Sequence, residues 1–126
     1  MKDLVIYPVG EYSFMSNDYP ILLILDGVVW LSAESAYQAY RVGDKSMVAL
    51  IRDLPYQSVR EYEECFTPHN NWEQIKDEVL YYITKEKFIQ HSNLADRLLA
   101  TGDAIIDDGF LGDILMRVRK EIRDKR

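Results

Sequence analysis

The feature that most restricts this chain is a dipeptide. Asp26-Gly27 stands between two β-rich apolar runs, Ile21 to Leu25 and Val28 to Leu31. A two-residue hairpin turn of type I′ needs positive φ at both central positions, which Asp and Gly tolerate and most residues do not. The pattern predicts an antiparallel hairpin. Ser32 follows at once, and its hydroxyl is suited to accept from the free N–H groups of a helix's first turn. Ala33, Ala36, Tyr37 and Tyr40 continue at helical spacing, so a helix is expected directly out of the hairpin.

Helical periodicity dominates what comes after. Gly43-Asp44 interrupts the first helix, and a second is expected from Lys45 to about Asp53, before Pro55. Residues 56–66 are expected to form another short helix with Val59, Tyr62 and Phe66 on one side. After a loop, Thr67 to Asn71, the residues Trp72, Ile75, Val79, Tyr82 and Ile83 mark a long amphipathic helix. Ser92-Asn93 restarts a shorter one carrying Leu94, Leu98 and Leu99, with Gly102 placed to end it. Leu111, Ile114, Leu115, Val118 and Ile122 give a last helix. Before the hairpin, Leu4 to Tyr7 reads as a short strand, and the aromatic-rich stretch from Tyr12 to Pro20 as a loop that packs over something. Ala104-Ile105-Ile106 is too short to assign, and Asp107-Asp108-Gly109 is a turn. The expectation is a helix-rich α+β fold, one compact domain over residues 1–126, with a small antiparallel β element near its start.

Composition narrows the function classes. With 48% hydrophobic residues in 126, a core forms without staples, and a net charge of −6 disfavours broad nucleic-acid binding. The longest apolar run, Ile21 to Leu25, is too short to span a bilayer, and Met1-Lys2-Asp3 opens no leader-like segment. A lone Cys65 suits a reducing compartment, so a cytoplasmic location away from membranes is expected. Beside Phe66 in the expected short helix, that thiol reads as a small buried hydrophobe. Residues 117–126 carry six basic side chains against two acidic ones, leaving −10 on the rest. A solvated helix end and a polyanion-binding tail both fit that segment. No Gly-rich phosphate loop, nucleophile elbow or metal-spaced Cys/His pair is present, so neither a metal nor another cofactor is expected.

One constellation stands out. Glu34, Tyr37, Gln38 and Arg41 fall at i, i+3, i+4 and i+7 and share one helix face. A carboxylate, a phenol, an amide and a guanidinium aimed together could hold a sugar phosphate. A solvated polar stripe, with Glu34 favoured by the helix N-terminus, explains the same spacing.

The ordered set of motifs resembles the NADAR (YbiA-like) family. Phe14-Met15-Ser16-Asn17-Asp18-Tyr19-Pro20, Asp26-Gly27 and Ser32-Ala33-Glu34-Ser35-Ala36-Tyr37-Gln38-Ala39 carry the likeness at the start. It continues through Trp72 to Lys76, Lys87-Phe88 with Gln90, Leu98 to Asp103, and Leu111 to Arg119. The resemblance implies N-glycosidase chemistry on ADP-ribosyl or ribosylamine-phosphate substrates. It places Glu34 and Trp72 in the catalytic site, with Asn17 and Gln38 lining the same pocket. A carboxylate can stabilise the positive charge that builds on the sugar during C1–N cleavage, and an indole can stack on a base.

Three positions depart from the family pattern. Arg41 stands where the family has a lysine understood to form a Schiff base with the opened sugar, and a guanidinium cannot act as that amine. Lys45 is the nearest candidate replacement, although Gly43 intervenes. Ser35 replaces a histidine. The D-x-x-W-G module expected before Leu111 is missing, and Asp107 or Asp108 with Phe110 are the candidates to fill its role. The expected ligand is a nucleotide or sugar phosphate, with ADP-ribosylated nucleic acid as a larger form and Tyr37 and Arg41 as further contacts. The alternative is a degenerate member that binds an ADP-ribose-like ligand or a protein partner without turnover.

Overall fold

A computed structural model describes residues 4–126; Met1-Lys2-Asp3, and with them the reading of a leaderless start, lie outside the described residues. The chain opens with β1 (Val5–Ile6) and a 3-10 turn (Gly10–Met15), then forms a hairpin of β2 (Leu23–Leu25) and β3 (Val28–Trp30). The hairpin register pairs Leu23 with Trp30 and Leu25 with Val28, and its turn residues have φ of 51° at Asp26 and 79° at Gly27. These are the positive values the dipeptide predicts. Helices α1 (Ala33–Val42), α2 (Lys45–Asp53), α3 (Trp72–Gln90) and α4 (Ser92–Ala100) follow, then β4 (Ile105–Ile106) and α5 (Gly109–Lys125). None is long and apolar enough to cross a membrane.

The apolar core has two parts. Leu23, Leu25, Trp30, Ala36, Ile51 and Ile83 fill one, between the hairpin, α1 and α2. Phe14, Met15, Phe88, Leu98, Ile106 and Leu115 fill the other, among the first strand, α4 and α5. Helix α3 supplies Ile83 to the first part and Phe88 to the second, so it runs along the seam. Its C-terminal end also protects the hairpin. Gln90 accepts from Ile24 N at 2.9 Å and donates to Ile24 O at 2.6 Å, filling the strand-edge positions that would otherwise invite another strand.

Two expectations change, and two segments left open gain a definite structure. The chain does not form a helix over 56–66; it makes successive turns and a 3-10 turn at Glu63–Cys65. Val59 and Phe66 are buried there but Tyr62 is not, so the segment lacks the continuous apolar stripe that holds a helix down. Cys65 accordingly lies exposed rather than buried. The short run around Ile105 becomes a strand, because β4 pairs parallel with β1, Val5 to Ile105 and Ile6 to Ile106. The basic C-terminal segment is the end of α5 and most of its cations are exposed, as a solvated helix end would be. Arg119 is buried and donates to Thr101 Oγ1 at 2.8 Å, while Arg123 and Arg126 reach Asp103 and Asp96.

Candidate active site

The site is built where the Ser16–Asp18 loop meets the first turn of α1. Ser32 Oγ accepts from Ser35 N at 3.1 Å, and the Asn17 carbonyl accepts from Glu34 N at 2.9 Å. Two of the N–H groups that a helix start leaves without partners are thereby satisfied, one by a side chain and one by the loop. This fixes Glu34 against Asn17 and turns the polar face of α1 inward.

Glu34 is only 6% exposed. Gln38 Nε2 donates to Glu34 Oε1 at 3.0 Å, and Arg41 Nη1 donates to Gln38 Oε1 at 3.0 Å and to the Glu63 carbonyl at 3.1 Å. Glu34 and Gln38 are buried and Arg41 half-buried, so the i, i+4, i+7 face is an internal hydrogen-bonded relay and not a solvated stripe. Burial raises the carboxyl's proton affinity, while the Gln38 hydrogen bond and the Arg60 guanidinium work against that rise; Asp18 and Glu63 add to it. The net shift is upward.

Residues without an assigned role in the sequence complete the surroundings. Arg60, from the turns after α2, places Nη2 3.2 Å from Asp18 Oδ2 and 3.6 Å from Glu34 Oε2. Lys87, on α3, is 1% exposed and donates from Nζ to the Ser16 carbonyl at 2.9 Å. Burial lowers its pKa to about 7, with the Asp18 carboxylate pulling the other way. The ammonium also lies near the Tyr19 and Phe88 rings, at 5.8 and 5.5 Å from their centroids. Asn17 Oδ1 and Asp18 Oδ1 are buried without a hydrogen-bond partner among the described residues. A cavity of about 490 Å³ opens beside this loop, lined in part by Ser13, Ser16, Asp18 and Tyr19.

The remaining sequence candidates fall in different places. Trp72 is buried at the start of α3 with its ring edge-on to Tyr37, centroids 5.1 Å apart, and His69 flanks it at 6.0 Å. Tyr37 is half-buried, and burial, followed by the nearby Glu34 carboxylate, raises its pKa. Lys45 is exposed at the start of α2; Gly43, at φ 67°, ends α1 and breaks the continuity that would have aimed Lys45 at the site. Asp107 is exposed, with its backbone N–H tied to the Ile6 carbonyl. Asp108, half-buried at the start of α5, sits within reach of Arg60's charge, although burial still raises its pKa. Phe110 is exposed. Of the residues proposed to stand in for the missing module, only Asp108 belongs to the side of the molecule that holds Arg60.

Lys87 carried a signal that was legible. It stands four residues after Ile83 and one before Phe88, at a buried position of the α3 stripe where a lysine is out of place. Arg60 had none, because nothing in the 55–62 segment predicts that it folds back over Asp18. Among the described residues, no three His, Cys, Asp or Glu side chains converge as metal ligands would.

Comparison with known proteins bears on this geometry. The NADAR domain pattern matches residues 7–109. A riboflavin biosynthesis protein of Vibrio vulnificus is 32% identical over 93% of this chain, which spans 37% of that protein's length. The N-glycosidase YbiA of Escherichia coli is 30% identical over 82% of the chain and 69% of its own length, and an N-glycosidase of Nostoc punctiforme is 28% identical over 90% and 87%. The NMR structure of E. coli YbiA superposes with a TM-score of 0.85 at 25% identity, covering 99% of this chain and 88% of that one. The fold is thus YbiA-like, and the chain belongs to the NADAR family.

Proposed function

We propose that this chain hydrolyses the bond between a ribosyl C1 and nitrogen on a phosphate-bearing substrate of the ADP-ribosyl or ribosylamine-phosphate type. The observation that carries the reading is Glu34: a buried carboxyl with raised proton affinity, gripped by Gln38 and facing Arg60 and the Asp18 loop. The names of the relatives support N-glycosidase chemistry at the general level. Breaking C1–N leaves positive charge on the sugar and a basic nitrogen that needs a proton. Glu34 in its acid form delivers that proton, and the carboxylate left behind faces the cationic sugar. Tyr37, backed by Trp72, provides an aromatic wall next to the carboxyl for the departing base. ADP-ribosylated nucleic acid is the larger form of the same substrate.

The amine of this site is Lys87 and not Lys45. Its lowered pKa leaves a large neutral fraction at physiological pH, which an amine nucleophile requires and Arg41 cannot supply. A second reading, binding without turnover, is favoured by the guanidinium of Arg41 standing where the family pattern has an amine; its Nη1 is spent on Gln38 and the Glu63 carbonyl, so it supports the site from within. Calorimetric titration with ADP-ribose, beside ribose 5-phosphate, tests whether the pocket accepts this class. Saturable binding that Tyr37→Ala weakens several-fold is expected. No heat at millimolar ligand would leave the family fold without this substrate class.

A further inference from the structure

The Glu34 carboxylate is held at both oxygens, and the two holders differ in kind. Gln38 is buried on the same helix and holds Oε1 at 3.0 Å. Arg60 holds Oε2 from a different segment, at the longer distance of 3.6 Å, and its side chain is 58% exposed. Its pair with Asp18 measures 3.2 Å. Both spans exceed the 2.7–2.9 Å of a well-made charge-assisted hydrogen bond. A guanidinium has five donors in a planar fork that matches a phosphate's oxygens. This one faces solvent, spends a single nitrogen on two long contacts, and stands across from the loop whose Asp18 edges the 490 Å³ cavity.

We infer that Arg60 is a positioning residue that holds the Glu34 carboxylate while the site is empty and transfers to a phosphate group when one arrives at the cavity mouth. The inference rests on the glycosidase reading for its purpose, and names phosphate as the group through which that site senses its substrate. No covalent step is involved; the guanidinium exchanges one set of anionic oxygens for another.

The consequence follows from the charges that face Glu34. On its own helix lie Gln38 and Tyr37; from the loop comes Asp18; from the 3-10 turn comes Glu63; and Arg60 is the cation among the groups that act on it. Asp108, at the start of α5, faces Arg60 in turn. Burial, Asp18 and Glu63 all favour the protonated acid, so Arg60 and Gln38 restrain it. Drawing Arg60 onto a phosphate leaves the Gln38 hydrogen bond alone against three opposing influences, and Glu34 takes up a proton. The acid that cleavage needs is armed by the substrate's own phosphate, and a ribosyl group lacking phosphate leaves the carboxyl restrained. Glu34 gains this control because its counter-cation sits on a turn segment, not on the buried helix that carries Gln38.

The test follows Glu34 directly, by carbon-13 NMR titration of the side-chain carboxyl, with inorganic phosphate as the probe. In the wild-type protein the midpoint should rise by about one pH unit at saturating phosphate, the low end of what an adjacent cation exerts. In Arg60→Gln it should start that much higher without phosphate and stay there when phosphate is added. Arg60→Lys should restore part of the phosphate response, which a purely structural role for Arg60 would not give. An Arg60→Gln midpoint equal to wild type, an unmoved wild-type midpoint, or an equal phosphate response in both proteins would each overturn the inference. None of these readings needs turnover. A normal phosphate response in a protein that releases no base would instead count against the glycosidase reading.

Discussion

Replacing Lys87 by Met should make the protein more stable in mild acid and less stable in mild alkali. In the folded state the amine is driven to about 7 from the 10.5 of an exposed lysine. Between those two pH values the unfolded chain binds more protons than the folded one, so wild-type stability climbs as pH rises. Each pH unit contributes about 1.4 kcal/mol, and the whole window about 5 kcal/mol. At or below pH 7 that cost is present in full. Met has a similar length and volume and carries no charge, which removes the cost at every pH. It also removes the 2.9 Å hydrogen bond to the Ser16 carbonyl, at a loss of about 1–3 kcal/mol for an unpaired buried acceptor. The variant should therefore gain about 2–4 kcal/mol at pH 6 and lose about 1–3 kcal/mol near pH 10.5. Urea unfolding of both proteins at single-unit steps from pH 6 to 10 measures this, because every other titrating group cancels in the difference. A difference that stays constant across the series would refute the claim that a neutral lysine is buried at this position.

Two further outcomes follow from the geometry. Borohydride treatment in the presence of ribose 5-phosphate should attach a reduced sugar to Lys87, with the amine condensing on the aldehyde, water leaving and hydride saturating the imine; peptide mass mapping that finds the adduct on Lys45 alone would contradict the placement of the amine. Gly112→Ala should destabilise by about 1–2 kcal/mol in thermal or urea melts, since the new methyl would lie inside van der Waals contact with the Ile106 carbonyl and outweigh the helix propensity gained; an equal or raised stability would show that α5 can move off β4.

The parts of the fold that could be read in advance are those set by local chemistry. Asp26-Gly27, Ser32, Gly43 and Gly102 act through their own backbone preferences, and each stands in the conformation its residue type favours. The helix that Glu34 and Gln38 share was equally accessible, because spacing alone puts them on one face. Spacing could not say whether that face meets solvent or a loop, and the answer depends on Asn17 docking its carbonyl onto Glu34 N. The β1–β4 pairing was out of reach for a similar reason. It joins two-residue strands about 100 positions apart, and its support comes from α5 lying on Ile106 at Gly112. Arg60 is the extreme case. Its contacts to Asp18 and Glu34 exist only after three separate segments have folded together. Lys87 was the legible exception that periodicity exposes: a charge at a core position of α3.

The central claim is that Glu34 acts in cleavage, and base release measures it most directly. A ribosylamine phosphate or an ADP-ribosylated base is incubated with the wild-type protein and with Glu34→Gln, and free base is quantified. The substitution keeps the size and a hydrogen-bonding partner for Gln38 while removing the proton that can be transferred. Release by the wild type, and a fall of at least about 100-fold in a variant that circular dichroism shows to be folded, is the predicted result. Release at the wild-type rate by folded Glu34→Gln would contradict it.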